Sequence, residues 1–353
     1  MKNRRSVLLK YAQKLNCDTL VAFEPENLFY VTGFWGEAIG ILRNDGCTII
    51  APELEVGRAR AESKNCDVVA TERGTALVSS LVSKIKGKKV CTDCNNYSTM
   101  ISLKKSIPSI KHSTEPFYNA RIIKDSSEIA ILKKASKIID EMFGICARMI
   151  KKGQKESELQ AILMSYGMER GMFDTGYRGT LNPLIIAGGP NGALPHAQVT
   201  DRKFANGDMI VVDITLRYKG YVSDATRTFG LGHVSSKAKD VYEIVKESQK
   251  LGLRAVKPKA SCKSVDHSCR DYIKKKKFGK YFIHSTGHGI GLEVHELPNI
   301  SQISKTKLEK NMAITVEPGI YIPKNFGVRI EDSLMVGTKA IPMHKFTKDL
   351  MLL

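Results

Sequence analysis

The stretch from Met209 to Thr228, MIVVDITLRYKGYVSDATRT, leaves this chain fewer ways to fold than any other part of it. β-Branched and aromatic residues fill both sides of Lys219-Gly220, so a two-residue loop there turns the stretch into a hairpin. The register then follows. Tyr218 faces Tyr221, Asp213 falls opposite Thr226, and Asp224 lies two residues from Thr226 on the face that Asp213 shares. Two carboxylates therefore converge diagonally on one surface of a sheet. Their neighbours Ile210, Val211, Val212 and Ile214 are apolar, and buried like charges at that spacing require a cation or a shared proton.

A second cluster, Ile283 to Glu296, reads IHSTGHGIGLEVHE and carries His284, His288 and His295. Its three glycines around His288 argue against a helix and for a loop whose backbone approaches something closely. It holds no HExxH, so the helical zinc motif is excluded. Two more acids complete the set. Pro318 biases Glu317 to an extended backbone. In Val328-Arg329-Ile330-Glu331, strand alternation puts Arg329 and Glu331 on one face, where Arg329 can orient a carboxylate by a charge-assisted bond. Four carboxylates and at least one imidazole suit two divalent cations such as Mn, Co, Zn or Fe better than one thiolate zinc site.

The chain has 353 residues, 42% of them hydrophobic and 26% charged, enough for one large or two ordinary self-folding domains and unlike a disordered or coiled-coil chain. The formal charge of +19 raises contact with polyanions as a hypothesis. The lysine runs at 84–89 and 274–277 carry no interleaved aromatics, however, and read as a solvated loop and a helix end. Nucleic acid is therefore not an expected partner. The eight cysteines are scattered, which disfavours a disulfide scaffold, and the single CxxC, Cys91-Thr92-Asp93-Cys94, reads as structural. Lys10 interrupts the apolar stretch Val7-Leu8-Leu9, so no export signal is expected, and no run reaches a membrane-spanning length. A cytoplasmic location and no membrane partner follow as expectations.

The first third reads as a small mixed α/β unit. Leu20–Phe23, Leu28–Val31, Ile39–Leu42 and Cys47–Ile50 are expected strands, with a hairpin turn at Asp45-Gly46 in which the glycine supplies a positive φ. From about Arg121 a second unit opens on a helix capped by Asp125 or Ser126, with Leu132, Ala135, Ile139 and Met142 on its buried face. Further helices are expected at about 157–170, 236–255 and 264–277.

In order and context, Asp213, Asp224, His288, Glu317 and Glu331 resemble the five metal ligands of the pita-bread metallopeptidases, which include aminopeptidase P, prolidase, creatinase and methionine aminopeptidase. The segments that carry the likeness are DITLRYKGYVSDATRT, HSTGHGIGLEVHE, TVEPGIY and GVRIEDS. PENLFYVTGF at 25–34 is similar to the amino-terminal domain of the creatinase and proline-peptidase branch, which methionine aminopeptidases generally lack. The resemblance implies an α+β chain: a creatinase-like domain over 1–120 and a pita-bread catalytic domain over 121–353. It implies two divalent ions, manganese first and cobalt, zinc or iron as alternatives. Asp213 would hold one, His288 and Glu317 the other, with Asp224 and Glu331 bridging. A water acidified between the ions would attack the peptide carbonyl while Glu317 moves its proton to the leaving nitrogen. His196 and His295 match histidines that contact substrate and tetrahedral intermediate, and His284 matches a pocket histidine. A homodimer is expected on the same ground.

The expected substrate is a peptide with proline in second position. Some dipeptidases of the family carry an arginine shortly after the VHE segment, suited to a dipeptide carboxylate. Here Leu297-Pro298 is followed by Asn299, so the first reading is an Xaa-Pro aminopeptidase acting on longer peptides, with an Xaa-Pro dipeptidase as the alternative. Removal of amino-terminal methionine and a non-catalytic binding protein rank lower, the latter because all five ligands are present. Asn311 stands where the family often has glycine, and asparagine tolerates the left-handed turn.

Overall fold

A computed structural model describes residues 2–182 and 184–353. They divide into two compact units, Met1–Arg121 and Ile122–Leu353. Both mix helices with sheets, an α+β architecture.

The first unit runs α1 (Lys2–Lys14), β1 (Thr19–Ala22), α2 (Pro25–Thr32), β2 (Ile39–Arg43), β3 (Gly46–Pro52), α3 (Glu53–Glu62), β4 (Asp67–Thr71), α4 (Thr75–Ile85), β5 (Val90–Thr92), α5 (Tyr97–Ser106), β6 (Lys111–His112) and α6 (Glu115–Arg121). Its sheet has the order β4-β3-β2-β1-β5-β6, with parallel pairing at both ends. Val21, Ile39, Ile41 and Ile50 pack under Leu81 and Ile85 of α4.

Two expectations fail in this unit. Leu28–Val31 is not a strand but the middle of α2. A four-residue apolar run fits either element by periodicity, and its flanks decide. Pro25 starts the helix and Gly33, at φ 84°, ends it with its N–H on the Phe29 carbonyl. The Asp93 carboxylate holds the entry, accepting from Phe23 N at 2.7 Å, Glu24 N at 3.3 Å and Asn27 Nδ2 at 2.8 Å. The β2–β3 hairpin does form, but its loop is Asn44-Asp45, and Gly46 opens β3 opposite Arg43. Arg43 Nε donates to Asp45 Oδ1 at 3.1 Å, which ties the turn one residue earlier than expected.

The second unit runs α7 (Ser126–Met149), α8 (Glu156–Glu169), β7 (Met172–Phe173), β8 (Leu184–Gly188), β9 (Met209–Tyr218), β10 (Tyr221–Gly230), α9 (Ser236–Ala255), α10 (Cys262–Lys275), β11 (Gly287–Gly289), β12 (Glu296–Ile300), β13 (Ala313–Val316), β14 (Gly319–Ile322), β15 (Phe326–Arg329), β16 (Asp332–Val336) and β17 (Ala340–Pro342). Asp125 caps α7 with Glu128 reaching back to form a capping box, and Leu132, Ala135, Ile139 and Met142 are buried. One sheet is built on the β9–β10 hairpin, with β7 and β8 along the other edge of β9. A second has the order β12-β11-β13-β16-β17, and β14 pairs with β15 alone. Two cores serve them. α7 and α8 cover the hairpin sheet, while α9 and α10 cover the second sheet and the β14–β15 ladder. Asn311 has φ 70°, the left-handed turn its residue type permits.

Two of the three glycines around His288, Gly287 and Gly289, sit in a short strand, β11, rather than a loop, and Gly291 follows it outside the strand. The close approach they imply is there. A side-chain carbon at Gly287 would lie 2.1 Å from the Thr315 carbonyl oxygen, and one at Gly289 2.1 Å from that of Leu297. Glycine is what lets β11 run between β12 and β13 with His288 at its centre. Among the described residues, no helix is long and apolar enough to cross a membrane.

Candidate metal centre

The β9–β10 register is Tyr218 to Tyr221, Asp213 to Thr226 and Thr215 to Asp224, as the loop at Lys219-Gly220 requires. Asp213 and Asp224 thus project from one face. β11 brings in His288, the end of β13 brings in Glu317, and the connection from β15 to β16 brings in Glu331. All five line one cavity of about 250 Å³, together with His196, His284, His295 and Arg329. The second unit supplies every residue of this wall.

The geometry at the floor is that of a cation site. One ligand atom each from Asp224, His288 and Glu331 lie within 4.8 Å of one another, and all three residues are buried. His288 Nδ1 faces the Gly289 carbonyl at 3.0 Å, which can only accept, so that nitrogen carries the proton and Nε2 is the one turned to the acids. Nε2 lies 3.3 Å from Glu317 Oε1 and 3.8 Å from Asp224 Oδ2. Among the described residues, Asp213 Oδ1 and Glu331 Oε1 are buried with no hydrogen-bond donor. Orphaned carboxylate oxygens aimed into a polar cavity are costly unless something positive meets them.

The electrostatics agree. Burial, then the neighbouring Asp213 charge, pushes the Asp224 carboxyl well above the usual range. Burial, then Asp224, does the same to Glu331. Burial works against a charge on both Glu317 and His288, but the hydrogen bond and ion pair between them prevail, holding Glu317 down at about 2 and His288 up at about 9. A proton on His288 Nε2 here stands in for the positive charge that four converging acids demand. Hard carboxylate oxygens with one imidazole nitrogen fit divalent ions of the Mn, Fe, Co and Zn series, so the residues present suit the metal that the resemblance implies.

Hydroxyl groups that the sequence reading did not single out orient the acids. Thr215 Oγ1 donates to Asp224 Oδ1 at 2.8 Å, Thr226 Oγ1 to Glu331 Oε2 at 2.8 Å, and Thr315 Oγ1 to Glu317 Oε1 at 3.2 Å. Strand alternation was the signal available for them. Thr215 and Thr226 are the cross-strand partners of Asp224 and Asp213, and Thr315 is two residues before Glu317. Arg329, itself buried, pairs through Nη2 with Asp213 Oδ2 at 2.5 Å and donates from Nε to Thr226 Oγ1 at 3.0 Å and from Nη1 to Tyr321 Oη at 2.7 Å.

The other histidines divide by environment. His284 Nδ1 faces the Ser285 carbonyl at 2.7 Å, leaving Nε2 to accept from Tyr321 Oη at 3.0 Å. Burial lowers its pKa, so it stands as a neutral ring. His295 opens onto the cavity, its ring centroid 4.3 Å from that of His288 and 5.2 Å from that of Tyr177. Burial and the adjacent His288 charge lower it to about 4. His196, exposed, lines the same cavity. The loop holding His295 is fixed from below. Glu296 Oε1 accepts from Leu292 N at 2.8 Å and Glu293 N at 3.2 Å, while its Oε2 meets Lys124 Nζ at 2.9 Å, both side chains buried. The CxxC is structural in its surroundings: Cys91 and Cys94 are buried, and burial raises both thiols.

Residues 130–338 match the family described as metallopeptidase family M24, and residues 4–123 match the creatinase/prolidase N-terminal domain. The chain is 36% identical over 346 residues to an Xaa-Pro dipeptidase of Pyrococcus furiosus, covering 95% of each chain. A solved Xaa-Pro dipeptidase from Bacillus anthracis superposes with a TM-score of 0.92 at 32% identity, over 100% of this chain and 99% of that one. A solved X-Pro aminopeptidase from Thermotoga maritima gives 0.87 at 28% identity, over 99% of both.

Proposed function

The chain belongs to metallopeptidase family M24, in its aminopeptidase P and prolidase branch, and is a metal-dependent hydrolase; from that premise we propose that it cleaves Xaa-Pro dipeptides, as a prolidase. The observation that carries the reading is the convergence of Asp213, Asp224, Glu317, Glu331 and His288 Nε2 on one cavity floor, with two buried carboxylate oxygens lacking a donor. The dipeptidase, second in the sequence reading, comes first here because relatives matching nearly the whole length are named dipeptidases or prolidases.

In this proposal the five residues hold two divalent ions. When bound, such ions supply positive charge for a developing oxyanion and acidify water at neutral pH. The chain's own groups do the rest. Glu317 Oε1, next to His288 Nε2, takes the proton from the attacking water and gives it to the leaving proline nitrogen. Arg329 pins Asp213 in one orientation, and Thr226 ties Arg329 to Glu331. His196 and His295, open to the cavity, hydrogen-bond the substrate carbonyl region, with His295 kept neutral. Ile185, Pro195, Val294 and the Tyr177 ring supply an apolar wall suited to a pyrrolidine ring. His284 accepts from Tyr321 Oη, the same hydroxyl that takes a bond from Arg329 Nη1.

A second reading, an Xaa-Pro aminopeptidase for longer peptides, is favoured by Asn299. This neutral side chain lines the cavity where an arginine would clamp a dipeptide carboxylate. A panel of Xaa-Pro dipeptides, Xaa-Pro-Xaa tripeptides and Met-Ala peptides, assayed with each candidate metal, separates the readings. Dipeptide turnover above tripeptide turnover supports the prolidase, and the reverse order supports the aminopeptidase. Cleavage of Met-Ala alone rejects both. Metal analysis of Asp224→Ala tests the site independently, since unchanged metal content removes Asp224 from the ligand set.

A further inference from the structure

Far along the chain from the metal centre, in the first unit, two cysteines face each other. Cys47 lies in β3 and Cys66 immediately precedes β4. Those strands pair in parallel with Thr48 opposite Asp67, so Cys47 and Cys66 are the next pair outward in the same register. Neighbouring strands run about 4.8 Å apart, inside the range of Cα separations that a disulfide bridges. The two Sγ atoms are 3.4 Å apart. Side-chain rotation closing roughly 1.4 Å would bring them to S–S bonding distance. Cys47 is buried and Cys66 is half-buried, so only Cys66 offers its sulfur to a reagent.

A guanidinium is built onto that sulfur. Arg5 of α1 donates from Nη2 to Cys66 Sγ at 3.0 Å and to the Lys64 carbonyl at 2.6 Å, from Nη1 to the Asn65 carbonyl at 2.8 Å, and from Nε to the Val31 carbonyl at 2.9 Å. Four bonds hold the cation in one position, and a cation against sulfur favours the thiolate, the nucleophilic form. The Cys47 hydrogen bond and the Arg5 charge, against burial, lower the Cys66 thiol to about 7, whereas burial raises Cys91, Cys146 and Cys269.

We propose that Cys66 and Cys47 form a thiol-oxidation site, in which the Cys66 sulfur attacks a hydroperoxide and the pair then closes to a reversible intrachain disulfide. The Cys66 thiolate displaces one oxygen of the peroxide. The O–O bond breaks, hydroxide leaves and is protonated to water, and the sulfur is oxidised to a sulfenic acid while the peroxide is reduced. Cys47 Sγ then attacks that sulfur. The S–O bond breaks, the hydroxide takes the Cys47 proton and departs as a second water, and the S–S bond forms. A dithiol reductant reverses it. The bond encloses the rest of β3 and all of α3, and ties the edge strand β4 to its neighbour.

The test uses the full-length protein, reduced, desalted and exposed to one equivalent of hydrogen peroxide, then alkylated in denaturant and digested without reduction. We expect six of the eight thiols to remain alkylatable, a linked peptide pair containing Cys47 and Cys66 that is two mass units lighter than the sum of its parts, and recovery of all eight thiols with dithiothreitol. In Cys47→Ser, which removes only the second step, Cys66 is expected to accumulate as a sulfenic acid that dimedone traps, one per chain. Eight thiols surviving the peroxide would overturn the proposal. So would oxidation spread over other cysteines without the Cys47–Cys66 link, or a dimedone adduct at Cys66 in the unsubstituted protein with no linked peptide.

Discussion

Thr226→Val tests whether the hydroxyl network around the acids sets their affinity for metal. Thr226 Oγ1 donates to Glu331 Oε2 at 2.8 Å and accepts from Arg329 Nε at 3.0 Å, and all three side chains are buried. Valine keeps the shape and the strand preference but removes both bonds. Glu331 Oε1 already lacks a donor, so the substitution leaves that carboxylate with no hydrogen bond from the protein and strips one donor of Arg329 of its acceptor. Each buried polar group left without a partner costs about 1–3 kcal/mol. The metal-free protein is therefore expected to lose about 2 kcal/mol or more, which lowers the melting temperature of a unit of this size by roughly 4–8 °C. Loss of an outer hydrogen bond to a ligand typically weakens metal binding about 10–100-fold. Titration with manganese against a competing chelator reads the second quantity, and scanning calorimetry of the metal-free protein reads the first. Affinity within twofold of the unsubstituted protein, at unchanged melting temperature, would refute the reasoning, because a hydroxyl with both bonds in place cannot be removed at no cost.

Three further outcomes follow from named contacts. Lys124→Met removes the buried cation that Glu296 Oε2 meets at 2.9 Å, so it should destabilise the second unit by about 3–5 kcal/mol; a urea-unfolding cycle should find Lys124→Met with Glu296→Gln less damaging than the lysine change alone. Asn299→Arg adds a cation to the cavity wall, and should raise kcat/KM for Xaa-Pro dipeptides relative to tripeptides about tenfold, read from paired substrate kinetics; an unchanged ratio would remove residue 299 from substrate selection. The Asp93 carboxyl is pushed up by burial to about 6, so its contribution to stability is full below its ordinary value near 3.8 and is lost as pH rises through 6. Melting of the first unit should accordingly fall between about pH 4 and pH 6 and level off above that, and Asp93→Ala should both lower it throughout, by freeing Phe23 N and Asn27 Nδ2, and flatten that pH dependence.

The hairpin at 209–228 was legible because its chemistry is local: a two-residue loop sets the register, and the period of two puts Asp213 and Asp224 on one face whatever surrounds them. The α7 cap and its buried stripe were legible for the same reason. Leu28–Val31 was not, since four apolar residues fit either element until the carboxylate of Asp93, almost seventy residues along the chain, accepts hydrogen bonds from the start of α2. His288 could be picked out by its glycines, but its placement in a strand between two others depended on backbones that arrive from β12 and β13. Residue order supplied the identity of the acids and the resemblance they carry. Only the tertiary structure brought Glu317 and Glu331 against the hairpin, left two oxygens without donors, and set Cys66 beside Cys47 and Arg5. Turns and alternation are decided within a few bonds of the chain, whereas burial, charge convergence and orphaned polar atoms exist only once distant segments have excluded water between them.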